Sequence, residues 1–318
     1  MTVDEEAAPM TAPERIPPAP WAKRVKNTLI YYGVRGVLAF VNSAPRELAL
    51  DLVGTLALLA YGGASGTRRR TLDQLSHAFN HTLKPAEISD LARSVFWNLG
   101  RNTVDALRMG QITADNIDTL VTAEGLEHLE TAYRRGRGVL AVSGHIGNFE
   151  LLGRYLALKG YTVTVVVAKL YDPRLDRLLR NSRALGGLNS VNRDRATGAV
   201  VRALRQGQIV GLLVDQDTRV PGVFTPFFGR PAYTPIGPAV LASRTGAPIV
   251  PMAIRRLEND THLITIRPSL PVPDEPRSEN AIRETVGQYT RAIEQFIRDD
   301  PAQWVWMHDR WKTRPDPG

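Results

Sequence analysis

The chain has 318 residues, of which 43% are hydrophobic and 23% charged, enough for one large or two modest packed domains and too apolar for a disordered protein. It contains no cysteine, which excludes disulfides, thiolate nucleophiles and cysteine-ligated zinc. A net charge of +8 calls for an anionic partner. With no nucleic-acid-binding motif and no basic tract interleaved with aromatics, a membrane surface or an anionic substrate fits better than nucleic acid.

Residues 1–20 are acidic, then proline-rich, and read as a disordered tail. They have neither the basic start nor the apolar centre of a signal peptide. From Trp21 the character changes. Lys23, Arg24 and Lys26 precede an apolar segment interrupted by Arg35, and a second apolar segment runs from Leu52 to Thr67 between Asp51 and Arg68. The uncharged stretch is 16 residues long, short of the roughly 18–20 that cross a bilayer as a helix. Residues 21–67 therefore read as interfacial helices with basic flanks; the alternative is a buried helical hairpin. Arg68-Arg69-Arg70 is either an anionic-lipid contact or a solvated helix start.

The domain expected over 68–318 begins with helices over 68–110, turning near Lys84-Pro85, and a further helix at Leu126–Arg134. A strand is expected at 138–143. After it come a helix from Phe149, a strand at Val163–Lys169, a helix at Pro173–Leu185 and a short strand at Leu188–Val191. The pattern continues with a helix at Thr197–Gln206 and a strand at Ile209–Val214. A helix at Gly237–Thr245, strands at Pro248–Ile254 and Leu263–Ile266, and an amphipathic helix at Asn280–Arg298 complete it. Apolar strands alternating with amphipathic helices predict an α/β fold: a mostly parallel central sheet flanked by helices on both faces.

The central stretch is Gly138–Glu150, GVLAVSGHIGNFE. An apolar strand breaks at Gly144 and Gly147, which flank His145, and a helix follows. Strand ends of this kind are where open α/β sheets present functional groups. Residues five apart on one helix point about 140° away from each other, so His145 and Glu150 meet only if the glycines turn the chain back. His145 is then a general base with Glu150 as its orienting carboxylate. Asn148 is placed to cap the helix, whose first amides are suited to a developing negative charge. Ser143 lies outside any Gly-x-Ser-x-Gly elbow and reads as structural.

Other polar groups gather at strand ends. Asp215-Gln216-Asp217 follows the strand at 209–214; without further ligands, ion pairing with basic residues is favoured over a metal. The segment Val223–Pro231 is too rich in Pro and Gly for a strand. It reads as an apolar loop whose Phe228 and Gly229 either line a substrate channel or pack under the sheet. Arg174, Arg177, Arg180 and Arg183 recur every three residues, a solvated face from which one guanidinium is expected to reach the site. The three tryptophans of the tail, with His308 and Arg310, are an interfacial belt or, in the favoured reading, a lid packed on the core.

Taken together, His145-x4-Glu150, Asp215-Gln216-Asp217, Phe227-Phe228-Gly229 and Pro301–Lys312 (PAQWVWMHDRWK) resemble the LpxL/HtrB family of late lipid A biosynthesis acyltransferases. That family sits in the lysophospholipid acyltransferase superfamily, which shares the His-x4-acid motif. The resemblance runs from about Trp21 to Pro315. It implies a glycerol-phosphate-acyltransferase-like sandwich at the cytoplasmic side of the cell inner membrane, with no cofactor and no metal. It also implies an acyl carrier protein or coenzyme A thioester as donor, and an anionic glycolipid as acceptor. Carried over, His145 is the base and Glu150 its partner. Arg183 and Asp215 match the additional charged residues, with the registers of Arg183 against Arg180 and Asp215 against Asp217 open. Asp217, Phe228 and Gly229 join them as expected substrate-binding positions. Actinobacterial relatives acylate mannosylated phosphoinositides, so the fold leaves the acceptor open. The rival readings are a hydrolase using water at the same base and a non-enzymatic lipid-binding protein.

Overall fold

The computed structural model describes residues 21–193, 196–271, 273 and 277–315; the expected tail at 1–20 lies outside them. Four helices come first: α1 (Trp21–Ser43), α2 (Arg46–Gly63), α3 (Ser65–Phe79) and α4 (Pro85–Leu107). A four-residue helix α5 (Ile117–Leu120) leads into β1 (Val121–Glu124) and α6 (Leu126–Tyr133). The alternating portion is β2 (Val139–Ser143), α7 (Phe149–Leu158), β3 (Val163–Val167), α8 (Pro173–Leu185), β4 (Leu188–Asn192), α9 (Ala196–Arg205) and β5 (Ile209–Leu213). A hairpin follows, β6 (Gly222–Phe227) and β7 (Arg230–Pro235), then α10 (Gly237–Thr245), β8 (Ile249–Arg256), β9 (His262–Ile266) and α11 (Glu279–Asp299).

Seven strands form one sheet in the order β1-β9-β8-β2-β5-β3-β4. The β8, β2, β5, β3 and β4 strands are parallel, whereas β9 runs antiparallel to β8 and carries β1 parallel to itself. The sheet is thus mostly parallel, as expected, with a reversed edge. β2 is its centre, and all five of its residues are buried, as a parallel strand covered on both faces requires. Its period of two divides the core. Leu140 and Val142 face α9, α10, α11 and the tail, while Val139 and Ala141 face α7 and α6.

Two regions differ from expectation. β1 is four residues long, too short to show a strand period beside its helical neighbours. The predicted loop at 223–231 is the β6–β7 hairpin, paired from Gly222↔Pro235 to Phe227↔Arg230. Prolines are tolerated there because the pair stands apart as a two-stranded sheet with two edges. Phe228 (φ 48°) and Gly229 (φ 75°) form its two-residue turn, the left-handed geometry such hairpins favour.

The N-terminal helices are clamped to the sheet by buried charge. Asp105 on α4 accepts two hydrogen bonds from Arg46 at 2.8 Å each, one from Arg256 at 2.7 Å, and lies 3.1 Å from His262 Nε2. Among the described residues no single helix is long and apolar enough to cross a membrane; α2 and α3, bent by 92° at their junction, have together the length and composition of a broken span. One face of α2 is buried through Ala49, Leu50, Gly54 and Tyr61. The other leaves Leu48, Leu52, Leu56 and Leu59 exposed, as α1 leaves Trp21, Val25, Leu29 and Tyr32. Both sets follow the i, i+4, i+8, i+11 line of a single helical stripe.

Candidate active site

The site is made by strand register. β2 and β5 are adjacent and parallel, with Ser143 opposite Leu213. Two residues beyond each strand end stand His145 and Asp215, so the pairing that builds the core also brings these two side chains together. His145 Nδ1 lies 2.8 Å from Asp215 Oδ1, and the His145 backbone N–H donates to Oδ2 at 2.7 Å. Trp304 Nε1 donates to Oδ2 as well, at 2.6 Å. An acceptor at Nδ1 fixes the tautomer: Nδ1 carries the hydrogen and Nε2 the lone pair when the ring is neutral. The His145 side chain is 25% exposed and the Asp215 side chain 0%. A buried orienting acid thus backs a reachable base.

Two glycines permit this corner. A Cβ on Gly147, at φ +55°, would stand 2.1 Å from the Ile254 carbonyl oxygen, and one on Gly144 would press on the Asp215 carboxylate at 3.2 Å. The loop is held from the far side by the tail. Gly147 N–H donates to the Gln303 carbonyl at 2.9 Å, and Ile146 bridges to Trp304.

Electrostatics follow from geometry. Burial disfavours the imidazolium, but the Asp215 charge and hydrogen bond, with the Glu150 charge added, outweigh it and raise the His145 pKa above the ordinary histidine value. Burial likewise pushes Asp215 up, yet the charge and hydrogen bonds of His145, together with the Trp304 indole, hold it below the usual carboxylate range.

Glu150 does not bind the imidazole. It lies in the first turn of α7, where its carboxylate receives Arg183 of α8, Nε reaching the two oxygens at 3.1 and 3.0 Å. The expected His145–Glu150 hydrogen bond is therefore replaced by two pairs, His145–Asp215 and Glu150–Arg183. Five residues of loop and helix start carry the Glu150 side chain towards α8, while β5 delivers Asp215 directly under the ring. Arg183 is the guanidinium that reaches the site; Arg180 is engaged by Asp176 at 2.7 Å and Arg174 by Asp172 at 2.8 Å. Asn148 caps α7, its side chain accepting from Leu151 N–H at 3.2 Å. The Phe149 and Glu150 amides lie in the first turn, ahead of the first intrahelical hydrogen bonds, and no acceptor for them is found among the described residues.

Asp217 does not face the imidazole. Its oxygens accept from Thr313 N–H at 2.7 Å and Thr313 Oγ1 at 3.0 Å, and its own N–H donates to His308 Nε2 at 3.1 Å. Phe228 is buried in an aromatic cluster, 5.4 Å from the Phe79 ring and 5.7 Å from Trp306, with the Arg298 guanidinium over it at 4.5 Å. The packing alternative holds for it in place of a channel wall, and Gly229 serves the turn. Trp304 and Trp306 are fully buried, so the tail is a packed lid and not an interfacial belt. The role of Trp304 had no signal in the sequence beyond the tail's aromatic density.

A histidine–carboxylate pair at the ends of neighbouring parallel strands, next to a capped helix start, defines a class of α/β protein with the groups for proton transfer at a strand end. Comparison with known proteins specifies it further. The chain belongs to the bacterial lipid A biosynthesis acyltransferase family, whose model matches residues 18–313. It is 30% identical over 199 residues to the lipid A biosynthesis palmitoleoyltransferase of Escherichia coli K12, covering 60% of this chain and 61% of that one. It therefore spans about three fifths of that relative's length. Longer matches are a lipid A biosynthesis acyltransferase of Haemophilus influenzae, 25% identical over 88% of this chain and 86% of that one, and the phosphatidylinositol mannoside acyltransferase of Mycolicibacterium smegmatis, 27% identical over 85% and 88%.

Proposed function

We propose that this protein is a membrane-associated O-acyltransferase that moves a fatty acyl chain from an acyl thioester, on acyl carrier protein or coenzyme A, to a hydroxyl of a glycolipid. The single observation carrying the reading is the 2.8 Å contact of His145 Nδ1 with buried Asp215, which leaves Nε2 as the base. Nε2 takes the proton of the acceptor hydroxyl as its oxygen attacks the thioester carbonyl. The tetrahedral oxyanion is met by the first amides of α7. Collapse breaks the carbon–sulfur bond, and the departing thiolate takes the proton back from the imidazolium, so no covalent acyl-enzyme forms. Asp215 stabilises the imidazolium and holds the ring in its tautomer. The Glu150 charge favours the same protonated state, and Arg183 fixes Glu150 in place.

The acceptor is an anionic glycolipid: a lipid A precursor or a mannosylated phosphoinositide, the two classes named among the relatives. The exposed leucine stripe of α2 and the Trp21–Tyr32 stripe of α1 support attachment to a membrane surface, since apolar stripes on basic-flanked helices partition into an interface; the cytoplasmic face of the inner membrane is what the family resemblance implies. The test is a labelled acyl thioester incubated with the protein, with and without lipid acceptor. Labelled glycolipid that appears only with acceptor is the expected result; free fatty acid with and without it would make the protein a hydrolase.

A further inference from the structure

A second site opens beside the catalytic pair. A cleft of about 630 Å³ is lined by Asp217, Thr218, Arg219, Val220, Pro221, Tyr233, Lys312 and Thr313, a volume typical of small-ligand sites. Its two cations, Arg219 and Lys312, are exposed, and neither forms an ion pair with an acid among the described residues. The one carboxylate of the lining, Asp217, is buried and already accepts two hydrogen bonds from Thr313. The cleft therefore presents positive charge.

Its walls are fixed from behind. Arg310, 1% exposed, ties the tail to the hairpin through the Tyr233 carbonyl at 2.6 Å and Thr234 Oγ1 at 2.6 Å. Tyr233 Oη donates to the Val220 carbonyl at 3.2 Å, and Thr313 clasps Asp217 from the other wall. Arg219 and Lys312 thus project from two braced segments and not from a loose surface. The site is also near the chemistry. Asp217 follows Asp215 by two residues, at most about 7 Å of extended chain.

We infer that this cleft binds a phosphoryl group carried by one of the substrates, with Arg219 and Lys312 as its ligands. Guanidinium and ammonium groups lining one cleft suit a phosphate ester. The inference rests on the acyl-transfer reading for what carries the phosphate, either the phosphodiester-linked arm of the thioester donor or the headgroup of the acceptor.

The test measures binding without requiring turnover. Calorimetric titrations of the full chain and of an Arg219→Ala/Lys312→Ala variant use coenzyme A against pantetheine for the donor arm, and inositol 1-phosphate against inositol for the headgroup. The wild type is expected to prefer the phosphorylated member of one pair by about tenfold or more, the scale of a charge-assisted hydrogen bond. The variant, its folding checked by thermal unfolding, loses that preference. The pair showing it names the source. A wild type without preference in either pair, or a variant that keeps it, overturns the site. A preference retained by a protein that transfers no acyl chain would refute the acyl-transfer reading and leave the site standing.

Discussion

His145 and Asp215, 70 residues apart in the chain, share a hydrogen bond of 2.8 Å because Ser143 and Leu213 face each other across two parallel strands. The pair is an extension of the sheet's register, and its properties are fixed by that sheet and by the tail that closes over it.

The first consequence is a pH dependence. Only a neutral imidazole accepts a proton, and the Asp215 carboxylate raises the His145 pKa. The rate of acyl transfer should rise with pH along a limb centred above about 6.5, the unperturbed histidine value. Asp215→Asn removes the charge, so the limb moves to lower pH and kcat falls by about 10²–10⁴-fold. Steady-state rates between pH 5 and 9 for both proteins check this; an unmoved limb would show that Asp215 does not set the base.

Trp304 should matter without touching substrate. Trp304→Phe keeps most of the ring but removes the N–H that binds Asp215 Oδ2 at 2.6 Å. A buried carboxylate deprived of one donor costs about 1–3 kcal/mol. The expected outcome is a lowered unfolding midpoint in urea together with a fall in kcat, while KM for both substrates changes little.

Asp105 carries the clamp between the N-terminal helices and the sheet. Burial opposes its ionisation, but hydrogen bonds from His262 and Arg46 and the Arg256 charge depress its pKa. A depressed carboxyl stabilises the fold above the unfolded value near 3.9 and loses that contribution as pH falls through the folded one. Asp105→Asn should cost about 3–5 kcal/mol at pH 7, since it removes the buried charge that accepts from both Arg46 and Arg256. In urea unfolding the gap to wild type should narrow below about pH 4.

The exposed stripe of α2 supplies a test of membrane attachment. Leu52 and Leu59 are 42% and 67% exposed, so Leu52→Asp/Leu59→Asp leaves the core intact. Co-sedimentation with anionic phospholipid vesicles should weaken by about tenfold or more, given about 1.5–3 kcal/mol per buried leucine, with the thermal unfolding midpoint little changed.

Much of this architecture was legible because its signals are local. The helices at Pro173–Leu185 and Gly237–Thr245 match their expected bounds, and His145 stands at a strand end, as its flanking glycines indicated. What was not legible depends on register between distant segments. Nothing near His145 in the chain distinguishes Glu150, five residues on, from Asp215, which arrives from another strand. The 223–231 segment reads as a loop in the sequence because proline weighs against strands in general, whereas an isolated hairpin has edges that accept it. By spacing alone the four arginines of α8 are equivalent, and the resemblance narrows them to Arg183 or Arg180; only the fold shows that Arg183 is the one that reaches Glu150.

The most direct test of the central claim is acyl transfer by His145→Ala, compared with wild type at saturating donor and acceptor, with folding verified by circular dichroism. General-base catalysis contributes about 10²–10⁴-fold, so a folded variant should lose at least the lower figure. Transfer at a rate close to wild type would contradict the account.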